Sequence, residues 1–153
     1  MARPSPLRKA ILATRDSVYY QIWVLSNLTA RPFPKFGARF DMNLTDWRMM
    51  VTIADRPGIS AQELSDYSGL DKMSVSRAVR SLEDQGRLVR EGSDTDRRML
   101  HLYLTDAGWA VYDEIAIAAL AREAEIYSPL STNELATFRR LLQKLSDKAR
   151  TMT

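Results

Sequence analysis

The chain has 153 residues, 45% hydrophobic and 27% charged, enough apolar material for one compact core or two small lobes. Cysteine is absent, which excludes disulfides, thiolate metal sites and a cysteine nucleophile, and the single histidine, His101, leaves almost no material for a histidine-based triad or a multi-histidine metal centre. The net charge of +3 leans toward a polyanionic partner without deciding for one.

Residues 1–6 carry two prolines and read as a loose arm. The start lacks the apolar stretch of a secretory signal, and no apolar run reaches the roughly 18 residues of a membrane span. A cytoplasmic, membrane-free protein is expected. From Leu7 to about Leu28 apolar residues recur at helical spacing (Leu7, Ile11, Val18, Ile22, Leu25). Residues 30–41, with Pro32, Pro34 and Gly37, read as a connector whose Phe33, Phe36 and Phe40 pack inward in part. Thr45 is placed as N-cap of a helix from Asp46 to about Ala54, with Leu44 and Met49 as its hydrophobic staple. Arg56-Pro57-Gly58 ends that helix. Ser60 and Glu63 then form a capping box, with Ile59 and Leu64 as a second staple, for a short helix that stops at Ser68-Gly69. Asp71 caps the next helix, which runs to Gln85, and Gly86 suits its C′ position.

After Gly86 the pattern changes from helical to alternating. Leu88 to Glu91 is one short strand, residues 92–96 are turn-rich, and Leu100, Leu102 and Leu104 alternate with Met99, His101 and Tyr103 on a half-buried strand. His101 is placed on the outer face of that strand, in a structural or solvated role. Thr105-Asp106 opens a long helix through Trp109, Ile115, Leu120 and Ile126, stopped by Pro129. Ser131 and Glu134 box the last helix, which aligns Leu135, Phe138, Leu141, Leu142 and Leu145. The expected fold is therefore mainly α with a small β-hairpin wing. A winged helix-turn-helix lobe occupies residues 41–104, and residues 7–30 and 105–150 form a second, helical lobe.

On the helix after Asp71, Val75, Ala78, Val79 and Leu82 fall on one side and Met73, Arg77, Arg80 and Asp84 on the other, flanked by Ser74, Ser76 and Ser81. Small side chains let a helix sit deep in a major groove. Arg77 can reach a guanine edge or a phosphate, Ser74 and Ser76 can donate to base edges or phosphates, and Met73 can touch a thymine methyl. Lys72 and the helix N-terminus favour phosphate. The same face also suits a plain solvated helix; the turn before it and the hairpin after it favour DNA. At the hairpin tip, Arg97 and Arg98 suit a minor groove, and Asp96 orients one of them or favours the turn.

The residues from Ile59 to Gly108 resemble the MarR family of bacterial winged-helix transcription regulators. The carrying segments are Ile59 to Leu64, Leu70 to Arg77, Leu82 to Gly86, Asp96-Arg97-Arg98, and Leu102-Tyr103-Leu104-Thr105-Asp106-Ala107-Gly108. Thr95 stands where the family often has an arginine, which puts one wing contact in doubt. The resemblance implies a homodimer joined by the flanking helices, a pseudo-palindromic double-stranded operator, and commonly repression relieved by a small, often aromatic-acid, effector. Tyr19, Tyr20, Trp23, Phe40, Trp47 and Met50 are candidate pocket residues with Arg48 as carboxylate partner; an aromatic stripe at this spacing equally suits a core. The alternative is a winged-helix protein-interaction adaptor that does not bind DNA. No catalytic residue, cofactor or metal site is expected, because there is no carboxylate pairing, glycine-rich phosphate loop or ligand cluster to support an enzyme.

Overall fold

A computed structural model describes residues 17–92 and 100–152. In chain order these form α1 (Val18–Ala30), α2 (Phe33–Gly37), a 3-10 turn (Ala38–Phe40), α3 (Leu44–Asp55), β1 (Ile59–Ser60) and α4 (Ala61–Ser68). They continue through α5 (Lys72–Asp84), β2 (Leu88–Gly92), β3 (Leu100–Leu104), α6 (Asp106–Tyr127) and α7 (Thr132–Arg150). The architecture is the expected one, mainly helical with a small antiparallel sheet. The first half of the N-terminal periodic stretch (Leu7, Ile11) and the wing tip lie outside the described residues.

Side-chain caps set most of the helix starts. Ser60 and Glu63 close a capping box on α4, Ser131 and Glu134 close another on α7, and Thr105 caps α6 by accepting from the Gly108 amide at 3.1 Å. The start of α3 differs from expectation. Asn43, not Thr45, is the N-cap: its Oδ1 accepts from the Thr45 and Asp46 amides at 2.8 and 3.0 Å, and the Asp46 carboxylate returns to the Asn43 amide. Asn43 keeps the extended backbone that a cap needs, so the helix begins two residues early, and Met42 and Trp47 take the staple positions.

The connector is also more ordered than its prolines suggest. It holds α2 and the 3-10 turn, and Phe33, Phe36 and Phe40 pack half-buried against the core. Gly37 is buried there, and any side chain on it would strike the Met42 carbonyl and the Phe33 ring.

The sheet runs β1-β3-β2, all antiparallel. Strand β1 has only two residues, too few for alternation to reveal. It forms because Ile59 and Ser60 pair with Leu102 and His101. His101 is therefore on the central strand. Its Nδ1–H donates to the Gly58 carbonyl at 2.6 Å, so the ring closes the turn that follows α3 and does not stand free on an outer face.

One core forms where α3, α4, α5 and the sheet converge. Met49, Met50, Ile53, Leu64, Val75, Val79, Leu82 and Leu102 are almost completely enclosed, and Ile115 of α6 joins them. Each such side chain contributes roughly 1.5–3 kcal/mol. By contrast, α1 and α7 bury no residue of their own.

The junction between wing and α6 is tight. The Thr105 amide and hydroxyl donate to the Arg87 and Gly86 carbonyls at 3.1 and 2.7 Å, and Leu104 is buried beneath. One turn further on, Gly108 faces the Arg87 carbonyl so closely that a Cβ would collide with it. The Leu-Thr-x-x-Gly sequence thus has a mechanical meaning: an apolar anchor, a cap, and a gap for the crossing backbone. Gly108→Val is expected to destabilise the protein by about 1–3 kcal/mol through overpacking, read as a lowered urea midpoint; an unchanged midpoint would show that the crossing adjusts freely.

Candidate nucleic-acid interface

Helix α5 is seated by its apolar stripe. Val75, Ala78, Val79 and Leu82 are all buried, which turns the opposite stripe outward. Lys72, Met73, Ser76, Arg77 and Arg80 are exposed there, and Met73 keeps 69% of its surface accessible. A large exposed methionine among three cations suits a surface that meets both apolar and anionic groups. Arg80 lies 3.8 Å from Asp84 one turn on, a solvated pair of little energetic weight.

Two of the serines have different positions from those the helical wheel suggests. Ser74 is half-buried and its hydroxyl donates to Asp71 Oδ2 at 2.7 Å, while its amide donates to Asp71 Oδ1 at 2.9 Å. These two bonds, side chain first, hold the Asp71 carboxyl below its ordinary value. The cap is thus intact at neutral pH and is lost as acid protonates it. The Ser74 oxygen also receives Arg77 Nη2 at 3.5 Å, which leans that arginine toward the helix start. Ser81 is not a flank of the exposed face. Its hydroxyl donates to the buried Asp46 at 3.2 Å and bolts α5 to α3. A wheel places Ser81 near the boundary, and only the neighbouring α3 carboxylate draws it inward.

Three contacts that local periodicity does not signal fix α5 against the wing and the connector. Arg90 on β2 grips Glu83 on α5 in a two-pronged pair at 2.8 and 2.7 Å. Arg87 Nη2 donates to the Phe40 carbonyl at 2.6 Å, and Gln85 Nε2 donates to the Asp41 carbonyl at 2.7 Å. Arg87 Nη1 also donates to Gln85 Oε1 at 2.7 Å, joining the two anchors. Asp96, Arg97 and Arg98 of the wing tip lie outside the described residues.

Behind this face, a cavity of about 550 Å³ opens between α1, α2, α3, α6 and α7. Of the pocket candidates, Trp47 and Arg48 line it, together with Phe33, Ile115, Arg122 and Phe138. Tyr20 and Trp23 are not among the lining residues; they pair with each other on the exposed surface of α1, centroids 5.4 Å apart. Tyr19 is 82% exposed on that helix. Phe40 packs with Phe36 and Arg39, and Met50 is enclosed in the core because it sits on the inward side of α3. Among the described residues there is no cluster of three His, Asp or Glu that could hold a metal, and no helix long and apolar enough to cross a membrane.

Residues 40–99 match the sequence profile of the MarR family. The HTH-type transcriptional regulator PetP of Rhodobacter capsulatus is 30% identical over 135 residues, 88% of this chain and 81% of its own. A relative from Thauera aromatica is 33% identical over 97 residues, which is 63% of this chain and 58% of that relative's length. Among solved structures, a MarR/EmrR family transcriptional regulator from Acinetobacter sp. ADP1 superimposes with a TM-score of 0.81 at 28% identity, over 90% of this chain and 98% of that one.

Removing either partner of the Glu83–Arg90 pair is expected to cost about 1 kcal/mol, the upper end for a partly exposed pair with two-pronged geometry. A double-mutant cycle with Glu83→Ala and Arg90→Ala in urea unfolding measures it. Strict additivity of the two changes would mean that the pair does not tie the wing to α5.

Proposed function

The chain belongs to the MarR family of transcriptional regulators, a non-enzymatic family, and on that premise we propose that it acts as a homodimer whose two α5 helices read a pseudo-palindromic operator. The single observation that carries the reading is the exposed stripe of Lys72, Met73, Ser76, Arg77 and Arg80 on a helix whose other side is locked into the core. Cations placed on a rigid helix neutralise phosphates, and Arg77 near the helix start has the length to fork onto a guanine. Ser74, engaged with Asp71, supports the helix start and offers its oxygen to Arg77. On the sequence pattern, Arg97 and Arg98 enter the adjoining minor groove, with Asp96 pairing with one of them.

The dimer half of the reading has its own support. Val18, Ile22, Trp23, Leu25 and Leu28 on α1, Ile117 and Leu120 on α6, and Leu141 and Leu145 on α7 all remain substantially exposed in the single chain. So many exposed large apolar side chains on three helices favour a partner. A second copy would cover it and set the two α5 helices about one DNA turn apart, near 34 Å. In this arrangement residues 7–30 and 105–150 are the dimerisation lobe and 41–104 the DNA-binding lobe.

The cavity beside Trp47 and Arg48 is the proposed effector site. Its walls are largely apolar, and Arg48 in the lining supplies a cation for an acid group; Arg122 is paired with Glu125 and Glu123 also lines the wall, so Arg48 carries the preference for an aromatic or otherwise apolar acid. Such a ligand sits where α1, α6 and α7 meet α3, so it can shift the DNA-binding lobe against the dimer lobe and relieve repression.

Selection of bound duplexes from a random pool should return an inverted repeat, and the logarithm of affinity should fall linearly with the logarithm of salt concentration. A shallow slope without preference for a repeat would point to an adaptor instead. Arg77→Ala should cost about 1–3 kcal/mol and relax one position per half-site; equal weakening on all duplexes would reduce Arg77 to a phosphate contact. Arg98→Ala should weaken binding with little change in base preference. A chain ending before Ser131 should elute as monomer or precipitate.

A further inference from the structure

The end of α7 touches the winged lobe at a defined place. Arg150 Nη2 donates to the Tyr67 carbonyl at 3.3 Å, and its Cζ lies 5.1 Å from the centroid of the Tyr67 ring. Asp147, one turn earlier on α7, orients the guanidinium through Nη1 at 3.1 Å. Arg56, just after α3, brings its own Cζ within 4.1 Å of the same ring centroid. One tyrosine therefore gathers guanidiniums from the last helix and from the turn that leads into β1.

Tyr67 is well placed to pass this contact on. It lies in the last turn of α4, and the chain goes directly through Gly69 and Leu70 to the Asp71 cap of α5. That turn is stiff: Gly69 takes a left-handed backbone at φ 70°, and the Ser65 hydroxyl donates to the Leu70 carbonyl at 2.7 Å. A displacement of the Tyr67 carbonyl must therefore move the start of α5. A second ion pair of α7, Arg139 near Glu123 of α6 at 3.9 Å, stays within the terminal helices.

We propose that Arg150 and Tyr67, backed by Arg56, form a latch that fixes the tilt of the winged lobe against α7 and so sets the separation of the two α5 helices. This rests on the dimeric, operator-binding reading above. Arg150 and Tyr67 are positioning residues; neither lies on the exposed stripe of α5. A planar guanidinium stacks on a ring and donates to a carbonyl at once, whereas a lysine keeps the charge but not that geometry. The latch thus predicts that Arg150→Lys behaves like Arg150→Ala, while a simple electrostatic contribution to DNA binding predicts that it behaves like the wild type.

The absence of cysteine allows a clean test. Met73→Cys puts one nitroxide on each α5, and pulsed dipolar spectroscopy of the full chain without DNA reports the distance between the two copies. A narrow distribution is expected in this parent, and a broader one when Arg150→Lys, Arg150→Ala or Tyr67→Ala is added, with Arg139→Ala as the unchanged control. In unlabelled protein, the same three latch variants should lose about two- to fivefold of the preference for the selected operator over one with a base pair inserted between half-sites, the equilibrium equivalent of one exposed cation–π contact. Size-exclusion with light scattering should still give a dimer for each. An unchanged distribution and unchanged spacing preference in the Arg150 variants would overturn the latch while leaving the dimeric reading in place. So would an Arg150→Lys protein that matches the wild type. A parent protein with no dipolar signal would instead refute the dimer, and the latch's role with it.

Discussion

The structure depends on how α5 is seated. Val75, Ala78, Val79 and Leu82 are driven into the space between α3, α4 and the sheet, where Met49, Ile53, Leu64 and Leu102 meet them. This burial is non-directional, but the helix has a single apolar stripe, so removing that stripe from water leaves one possible orientation for the rest. Every residue that could touch DNA from α5 owes its direction to side chains on the opposite side. The Ser81–Asp46 bond adds a directional contact to the rotation that the stripe sets, tying α5 to α3.

Around that seat, the wing and the connector are attached through arginines. Arg90 holds Glu83, and Arg87 holds the backbone at Phe40. Both use the fork of the guanidinium, Arg90 to grip the two oxygens of one carboxylate and Arg87 to bridge Gln85 and Phe40, which a lysine would not do. The crossing of α6 over Arg87 is held by absence of bulk at Gly108 and by the double use of Thr105 as cap and strut. Strand β2 is therefore fastened directly to α5, and the start of α6 to the turn between them.

The terminal helices have the reverse character. They carry apolar stripes that are barely buried in the single chain, and α7 meets the winged lobe through Arg150 and along the cavity wall. Under the proposed dimer, a lobe held together by its own core and joined to helices whose apolar stripes are covered by a second copy would be able to tilt as a body. The cavity at Trp47 and Arg48 and the contact at Tyr67 share no lining residue, so under the proposed function an effector and the Arg150 contact would act on α7 through separate groups.

Much of this was legible in the residue order. The boxes Ser60/Glu63 and Ser131/Glu134, the Asp71 cap, the glycines at 69 and 86, and the apolar stripe of α5 are local signals, since each needs only neighbours within about one helical turn. They sufficed for the fold class and for the cationic face. What escaped were relations between distant segments. Strand β1 exists only because β3 passes beside it, Asn43 outcompetes Thr45 because its backbone is held extended after the packed Phe40–Met42 segment, and Ser81 turns inward because Asp46 is there to receive it. The pairing of Glu83 with Arg90, the grip of Arg87 on Phe40 and the meeting of Arg56, Tyr67 and Arg150 likewise have no period in the sequence. Hydrophobic periodicity records which face is buried; it does not record which polar groups that burial brings within hydrogen-bonding distance, and only the packed chain decides that.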